Sequence, residues 1–378
     1  MAQKPESKRI GFIGLSAVGS WASISHLHYL RTTPHYKIIA LQNSSKDSAT
    51  AAKKAHNLPN ANTHADPSSL AQDPNVDIVA VSVKVPQHYD LIKPALEANK
   101  DIFVEWPLAR TLSEAEELLS LAQAKGVRTL VGLQARQSPA IVKAREIVQS
   151  GKLGRIVGTT MYGHGMLFGP QTPEHLTYTF PIENGANLLT IPFGHAVDAL
   201  CYVLGEWESL TATLANQFPE LAVVDAEGSE IRKERKSSHD YISVTGILAD
   251  GGGVVDATYA GGASRTGRDF YWEINGTEGS LTLKGQKGHI QMFQPTLELV
   301  IGDGAGKKVE AVHVEMKGAE GTNHGDFSFN VGRAWDAWAG EGLEEGGSVT
   351  TFEDAVVRHR MMEAIYRSAE KGTWEKYL

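Results

Sequence analysis

The chain has 378 residues, 42% apolar and 21% charged, which describes a globular protein and excludes a disordered one. Its 36 basic and 44 acidic residues leave a formal net charge of −8, so direct nucleic-acid binding and attraction to an anionic membrane are not expected. Cys201 is the single cysteine, which excludes an internal disulfide and a cysteine-rich metal site and fits a reducing compartment.

The length exceeds one ordinary core, so two domains are expected, over residues 1–135 and 136–378. The polar N-terminus lacks an apolar signal core, and no run of about eighteen apolar residues is present, so no membrane span is expected. Ile10–Ile13 reads as a buried parallel strand. It runs into Gly14-Leu15-Ser16-Ala17-Val18-Gly19 and then a helical pattern through Leu30. Strand, glycine turn and helix entry form a dinucleotide-binding unit, with unpaired N–H groups offered to a diphosphate. Gly14 is expected to allow the tight turn and Gly19 a close helix–strand packing. Ser16 replaces the middle glycine of the usual pattern and adds a hydroxyl. Further strands are expected at Tyr36–Gln42, Asp77–Val83, Asp101–Val104 and Arg128–Gly132, with helices at Asp47–His56, Pro86–Asn99 and Leu112–Lys125 between them. This alternation predicts a doubly wound parallel sheet with its ligand beyond the carboxyl ends of the strands.

After Arg136 the texture changes. Ser138–Ser150 reads as an amphipathic helix, Ile156–Tyr162 as a strand, and Gly185–Leu204 as a buried helix. Strands are then expected at Ser209–Ala215, Tyr241–Ala249, Val254–Tyr259, Asp269–Ile274, Ser280–Leu283 and His289–Phe293. Glycine-rich hairpin turns fall at 251–253 and 276–279. The charged segment Glu227–Lys236 is expected to be an exposed loop. Helices are expected at Asp326–Trp338 and Phe352–Lys371. Successive strands without intervening helices imply a large, mostly antiparallel open sheet, so the second domain is of α+β type.

Four stretches together resemble the glucose–fructose oxidoreductase, inositol dehydrogenase and rhizopine-catabolism (GFO/IDH/MocA) family. They are Gly11–Leu15 with Gly19; Asp77–Val83 through His88 and on to Ala95–Lys100; Phe103–Ala109; and Gly194-His195 with Asp198. The closing segment, Phe352 to Trp374, is similar as well. Within the family, Trp21, Phe103–Trp106, Leu133–Pro139 and Phe193–His195 resemble the fungal Gal80-like branch, which includes a dinucleotide-binding transcriptional regulator.

Site residues follow from both kinds of reading. The turn residues Gly14, Leu15, Ser16, Val18 and Gly19 are the expected diphosphate cradle. After the second strand come Asn43, Ser44, Ser45 and Lys46, with no carboxylate before Asp47, the expected helix N-cap. Small hydroxyls and Lys46 suit a 2′-phosphate, which favours NADP with NAD tolerated; a plain polar turn is the alternative. Val83 and His88 are assigned to the cofactor, His88 by the resemblance, with a surface histidine as its alternative. Glu105 ends the fourth strand within reach of the nicotinamide ribose. The resemblance implies a cis bond before Pro107, which would aim Trp106 inward to stack on nicotinamide or on a sugar.

The resemblance also implies a proton-transferring lysine where Trp106 stands and an assisting aspartate where Ile191 stands, so two of three polar groups are missing. His195 remains as the expected acid–base, because imidazole titrates near neutrality; a core histidine is the alternative. Arg136, Tyr162, His164 and Asp198 are the candidate substrate contacts, although Arg136 reads equally as a salt-bridge partner and Asp198 as an orienting group. His164 and His175 lack metal-ligand spacing, and no metal is expected.

Two functions remain open. One is an NAD(P)-dependent oxidoreductase acting on a sugar, polyol or related small hydroxyl or carbonyl compound, in the cytoplasm. The other is a Gal80-like regulator without turnover, which contacts an activator protein and is also nuclear. The alternating sheet strands and the resemblance both imply a homodimer.

Overall fold

The computed structural model describes residues 6–302, 306–318, 327–344 and 346–378. Its first six strands are β1 (Lys8–Ile13), β2 (Tyr36–Gln42), β3 (Asn62–His64), β4 (Ile78–Val81), β5 (Asp101–Glu105) and β6 (Thr129–Gly132). All pair in parallel in the order β3-β2-β1-β4-β5-β6. The order reverses between β1 and β4, which places a ligand site beyond the carboxyl ends of those two strands. The connecting helices are α1 (Trp21–Ser25), α2 (Leu27–Leu30), α3 (Lys46–Ala55), α4 (Pro67–Ala71), α5 (His88–Glu97) and α6 (Leu112–Lys125).

The expected helix from Ala17 therefore begins four residues later and is divided at His26. Ser20 sets the start: its side chain accepts from Ser23 N–H while the Ser23 hydroxyl reaches back to the Ser20 backbone. Ser45, not Asp47, caps α3, through the same reciprocal bonds with Ser48. Asp47 falls in the first turn, where its charge suits the helix dipole.

The second unit starts with α7 (Pro139–Gln149) and β7 (Ile156–His164), then β8 (Gln171–Pro173) and α8 (Gly194–Leu204). The strands β9 (Trp207–Ala215), β10 (Glu220–Val224), β11 (Glu230–Arg235), β12 (Tyr241–Leu248), β13 (Val254–Ala260), β14 (Phe270–Gly276), β15 (Gly279–Gly285), β16 (Thr296–Ile301) and β17 (Lys308–Val312) follow. Eight of them form a sheet in the order β17-β16-β15-β14-β7-β13-β12-β9, antiparallel except at β13–β7. One face buries alternate residues such as Ile242, Val244, Trp272 and Ile274 against α7, α8 and Met361–Ile365. The other face carries Thr160, Tyr162, Ser243, Thr245, Tyr271 and Glu273, none of them buried.

Two expectations fail here. Residues 289–293 are a turn, not a strand, because Met292 and Phe293 both donate to the His289 carbonyl. The charged segment at 227–236 is largely strand β11, paired with β10, not a loop. Its alternating charges suit an edge strand that must resist further pairing.

Before α8, residues Leu189–Phe193 form a π-helical turn that contains Pro192, whose missing N–H suits a loosened ladder. The stretch Ile182–Leu204 is long and apolar enough to cross a membrane by composition, but 89% of its apolar 18-residue window is buried, as in a core helix.

The last elements are α9 (Ser328–Ala339) and α10 (Phe352–Lys371). The expected start of α9 at Asp326 lies outside the described residues. The chain divides into one unit of residues 1–134 with 318–356 and another of 135–317 with 357–378. The continuous second domain expected over 136–378 is thus interrupted by a return to the first. The return has a packing cause: Trp335 of α9 stacks on Phe103 of β5, with ring centroids 4.7 Å apart. In addition, the Trp335 carbonyl accepts from Tyr36 Oη at 3.0 Å, and Arg128 donates to the Trp338 carbonyl.

Candidate functional site

The glycine turn follows β1. Gly14 has φ +101°, and a Cβ on it would lie 2.1 Å from the Ser82 carbonyl oxygen and 2.7 Å from Val83 Cγ1. Only glycine fits there. Gly19 has φ +95° but nothing within 4 Å of a would-be Cβ, so its requirement is backbone conformation and not the close packing expected.

Two side chains pin the turn. Asn43 Oδ1 accepts from Gly14 N–H at 3.2 Å, and its Nδ2 donates to the Leu15 carbonyl at 2.9 Å. His56 Nε2 donates to the Ser16 carbonyl at 2.8 Å. Ser16 Oγ accepts from Val18 N–H at 3.3 Å, so this hydroxyl shapes the turn. Leu15 is anchored in the core, whereas Val18 is 95% exposed. The N–H groups of Leu15 and Ala17 bond nothing among the described residues. Free amides beside a bare aliphatic side chain suit a diphosphate and its flanking nucleotide.

Ser44, Ser45 and Lys46 are exposed at the end of β2. Ser45 Oγ is occupied by the cap, which leaves the Ser44 hydroxyl and the Lys46 ammonium as the exposed polar groups there. His88 departs from its expected role. It is fully buried, with Nδ1 2.8 Å from the Pro107 carbonyl and Nε2 3.1 Å from the Val83 carbonyl. Burial lowers its pKa against the opposing pull of these carbonyls, so the neutral ring donates to one of them, and both nitrogens face backbone rather than open space.

Glu105 ends β5. Its Oε1 accepts from Trp21 Nε1 at 2.9 Å and contacts His26 Nε2 at 2.5 Å. Oε2 makes no hydrogen bond among the described residues. A Cβ on Gly132 would sit 2.6 Å from it, so Gly132 provides its room. The Trp106–Pro107 peptide is cis. Trp106 is 4% exposed and packs in the apolar cluster of the first unit with Leu108, Ala109 and Leu133, a packing role where stacking on a ligand was expected.

The second unit holds the other candidates. Arg136 grips Asp198 with two bonds, Nε–Oδ2 at 2.8 Å and Nη2–Oδ1 at 2.7 Å. Arg358, fully buried, faces the same carboxylate at 3.4 Å and donates to Glu206 at 2.5 Å. Tyr377 donates to Glu206 at 2.7 Å. Asp198 and Arg136 are therefore members of a buried ion cluster, not the substrate contacts expected. Tyr162 Oη lies 2.6 Å from His164 Nε2, and His164 Nδ1 is buried with no partner among the described residues. Tyr162 titrates above its ordinary range, chiefly through burial.

His195 opens α8 and is 5% exposed. Its Nδ1 is buried and has no partner among the described residues. Burial, helped by nearby His289, pushes its pKa down to about 3. His195 is thus held as a neutral imidazole, well below the near-neutral titration that the residue type alone suggests. His289 donates from Nε2 to the Gly165 carbonyl at 2.6 Å and accepts at Nδ1 from Gln291.

Sequence reasoning passed over His26, His56, His289, Arg358 and Trp335. The one available signal was that a strand-end carboxylate such as Glu105 needs donors, and His26 follows the turn on the helical pattern.

Residues 8–133 match the model of the oxidoreductase family with NAD-binding Rossmann fold, and residues 139–285 match the Gal80p C-terminal domain. The dehydrogenase aclE of Aspergillus oryzae is 35% identical over 98% of this chain and 98% of its own length. The galactose/lactose metabolism regulatory protein GAL80 of Saccharomyces cerevisiae is 29% identical over 97% of this chain and 93% of its own. The crystal structure of a super-repressor mutant of that Gal80p aligns at a TM-score of 0.89 with 26% identity, covering 98% and 97% of the two chains. Levoglucosan dehydrogenase in complex with NADH and L-sorbose shares the fold at a TM-score of 0.81 and 23% identity, covering 98% and 99%. The chain belongs to the GFO/IDH/MocA oxidoreductase family, on its Gal80-like branch.

Proposed function

We propose that the protein is an NAD(P)-dependent oxidoreductase that acts on a small hydroxyl or carbonyl compound of sugar or polyol type. The observation that carries the reading is the turn after β1, where Gly14 has no room for a side chain, two amides are unbonded and Val18 stands bare. When bound, the nicotinamide ring supplies or takes up the hydride. The chain holds the diphosphate on the turn and presents Glu105 Oε2 to a ligand hydroxyl.

His195, neutral and with Nδ1 unpartnered, hydrogen-bonds the substrate oxygen. Its low basicity makes proton uptake favourable only as the hydroxyl is oxidised. Support comes from the whole-length likeness to a dehydrogenase. Among the coenzymes we favour NADP, on Ser44 and Lys46 and the absence of a carboxylate beside them, with NAD tolerated. A homodimer through the polar outer face of the eight-stranded sheet fits its half-buried Ser, Thr and Tyr residues, and the cytoplasm fits a single buried thiol.

A second reading is favoured by one observation. His195 titrates far from neutrality, and Arg136 and Asp198 are consumed by each other. That is the pattern of a site that binds a dinucleotide without turnover, as in a regulator that contacts an activator protein and works in the nucleus. Incubation with NADPH or NADP and a panel of sugars and carbonyl compounds separates the two. Absorbance change at the nicotinamide band, abolished by His195→Ala, is the expected result. Coenzyme binding with no turnover across a broad panel would favour the second reading.

A further inference from the structure

The carboxylate at the end of β5 is held by a chain of donors whose direction is fixed by chemistry. Trp335 Nε1 lies 3.0 Å from His26 Nδ1. An indole N–H can only donate, so His26 Nδ1 is the acceptor and carries no proton. In neutral His26 the proton is then on Nε2, which donates to Glu105 Oε1 at 2.5 Å. Trp21 Nε1, again donor-only, takes the same oxygen at 2.9 Å. His26 is fully buried and is wedged edge-on between Phe12 and Phe103. It cannot turn over without breaking both contacts. The chain therefore saturates Oε1 and leaves Oε2, in the space kept by Gly132, as the acceptor still to be used.

We propose that Trp335 and His26 are positioning residues, Trp335 fixing the tautomer of His26 and His26 fixing the aim of the Glu105 carboxylate, so that Oε2 receives a hydroxyl of the nicotinamide-side ribose. The inference rests on the dinucleotide reading above. It gives the return of the chain to the first unit a functional reason: α9 brings the indole that orients a histidine some three hundred residues earlier. Neither residue touches the ligand. Both act through Glu105.

The test compares NADH with ADP, which lacks the nicotinamide-side ribose, by titration of the full chain. Trp335→Phe keeps an aromatic ring against Phe103 and removes the N–H together with part of the buried bicycle, a packing loss that should weigh on NADH and ADP alike. It should raise the Kd for NADH about five- to tenfold, roughly the worth of one well-placed hydrogen bond, and leave that for ADP within about twofold. His26→Leu should act alike. His26→Gln, which returns an N–H donor towards Oε1, should recover most of the loss. In a Glu105→Ala background, Trp335→Phe should add nothing, because the coupled partner is gone.

An unchanged NADH affinity in Trp335→Phe overturns the proposal. So does an equal loss of NADH and ADP affinity, or a full additional loss in the Glu105→Ala background. A wild-type chain that binds neither NADH nor ADP overturns the dinucleotide reading itself, a distinct outcome from normal wild-type binding with indifferent variants.

Discussion

Replacing Gly14 by alanine tests the turn and separates two roles that glycine plays in it. At Gly14 the φ of +101° is one that alanine adopts only under strain, a cost of about 1–3 kcal/mol. The added Cβ also meets the Ser82 carbonyl oxygen at 2.1 Å. That carbonyl is not free to yield, because Ser82 N–H donates to the Ile13 carbonyl at 3.0 Å and so ties the end of β4 to β1. Overpacking of this kind costs a further ~1–3 kcal/mol. Gly19→Ala shares the strain, with φ +95°, but meets nothing within 4 Å. Gly14→Ala should therefore lose about 2–6 kcal/mol of stability in urea melts and Gly19→Ala about 1–3 kcal/mol. NADH titration followed by nicotinamide fluorescence should show coenzyme binding lost in Gly14→Ala and only weakened in Gly19→Ala. Equal melts for the two variants, or normal NADH binding by Gly14→Ala, would refute the steric argument.

Asp198→Asn should destabilise the second unit by about 3–5 kcal/mol in chemical denaturation, because it leaves Arg136 and fully buried Arg358 short of their shared counter-charge. Stability should also fall in mild acid. His195 has a folded pKa of about 3 against an ordinary 6.5, so between those values the unfolded chain binds the extra proton. Stability therefore rises with pH through that window, by up to ~1.4 kcal/mol per pH unit for this group, and His195→Gln should flatten the slope in melts between pH 4 and 7. Lys46→Ala should weaken NADPH binding several-fold more than NADH binding in calorimetric titration if the 2′-phosphate is read there. Ser45→Ala should cost about 1 kcal/mol through the lost cap of α3, seen as a lower melting midpoint.

Five of the six strands of the first unit's sheet were legible because period and punctuation agree there: apolar runs end in Gly14, Asn43 and Glu105, and α6 opens on the Thr111 cap and closes at Gly126. The antiparallel sheet was legible at Tyr241–Leu248, where burial alternates, but not at Thr296–Ile301, which alternates as well. It was not legible at Glu230–Arg235, where both faces are exposed and the alternation that marks a strand vanishes. Nor was it legible at Lys308–Val312, another exposed edge. The glycine turn was legible where local backbone decides it, at Gly14, whereas Asn43 was expected as a cofactor contact and is found pinning that turn. The site was misread where long-range pairing decides. Arg136 and Asp198, 62 positions apart, each look available until they are seen holding each other. His88 looks like a surface residue or a ligand contact until both its nitrogens are found on carbonyls. His195 keeps its type but not its basicity, because burial sets the latter.

The central claim is that the turn after β1 holds the diphosphate of a nicotinamide dinucleotide. Isothermal calorimetry of the purified chain with NADPH and NADH tests it most directly. The account predicts saturable binding at one site per chain, abolished by Gly14→Ala. No heat of binding with either coenzyme, reduced or oxidised, would contradict it.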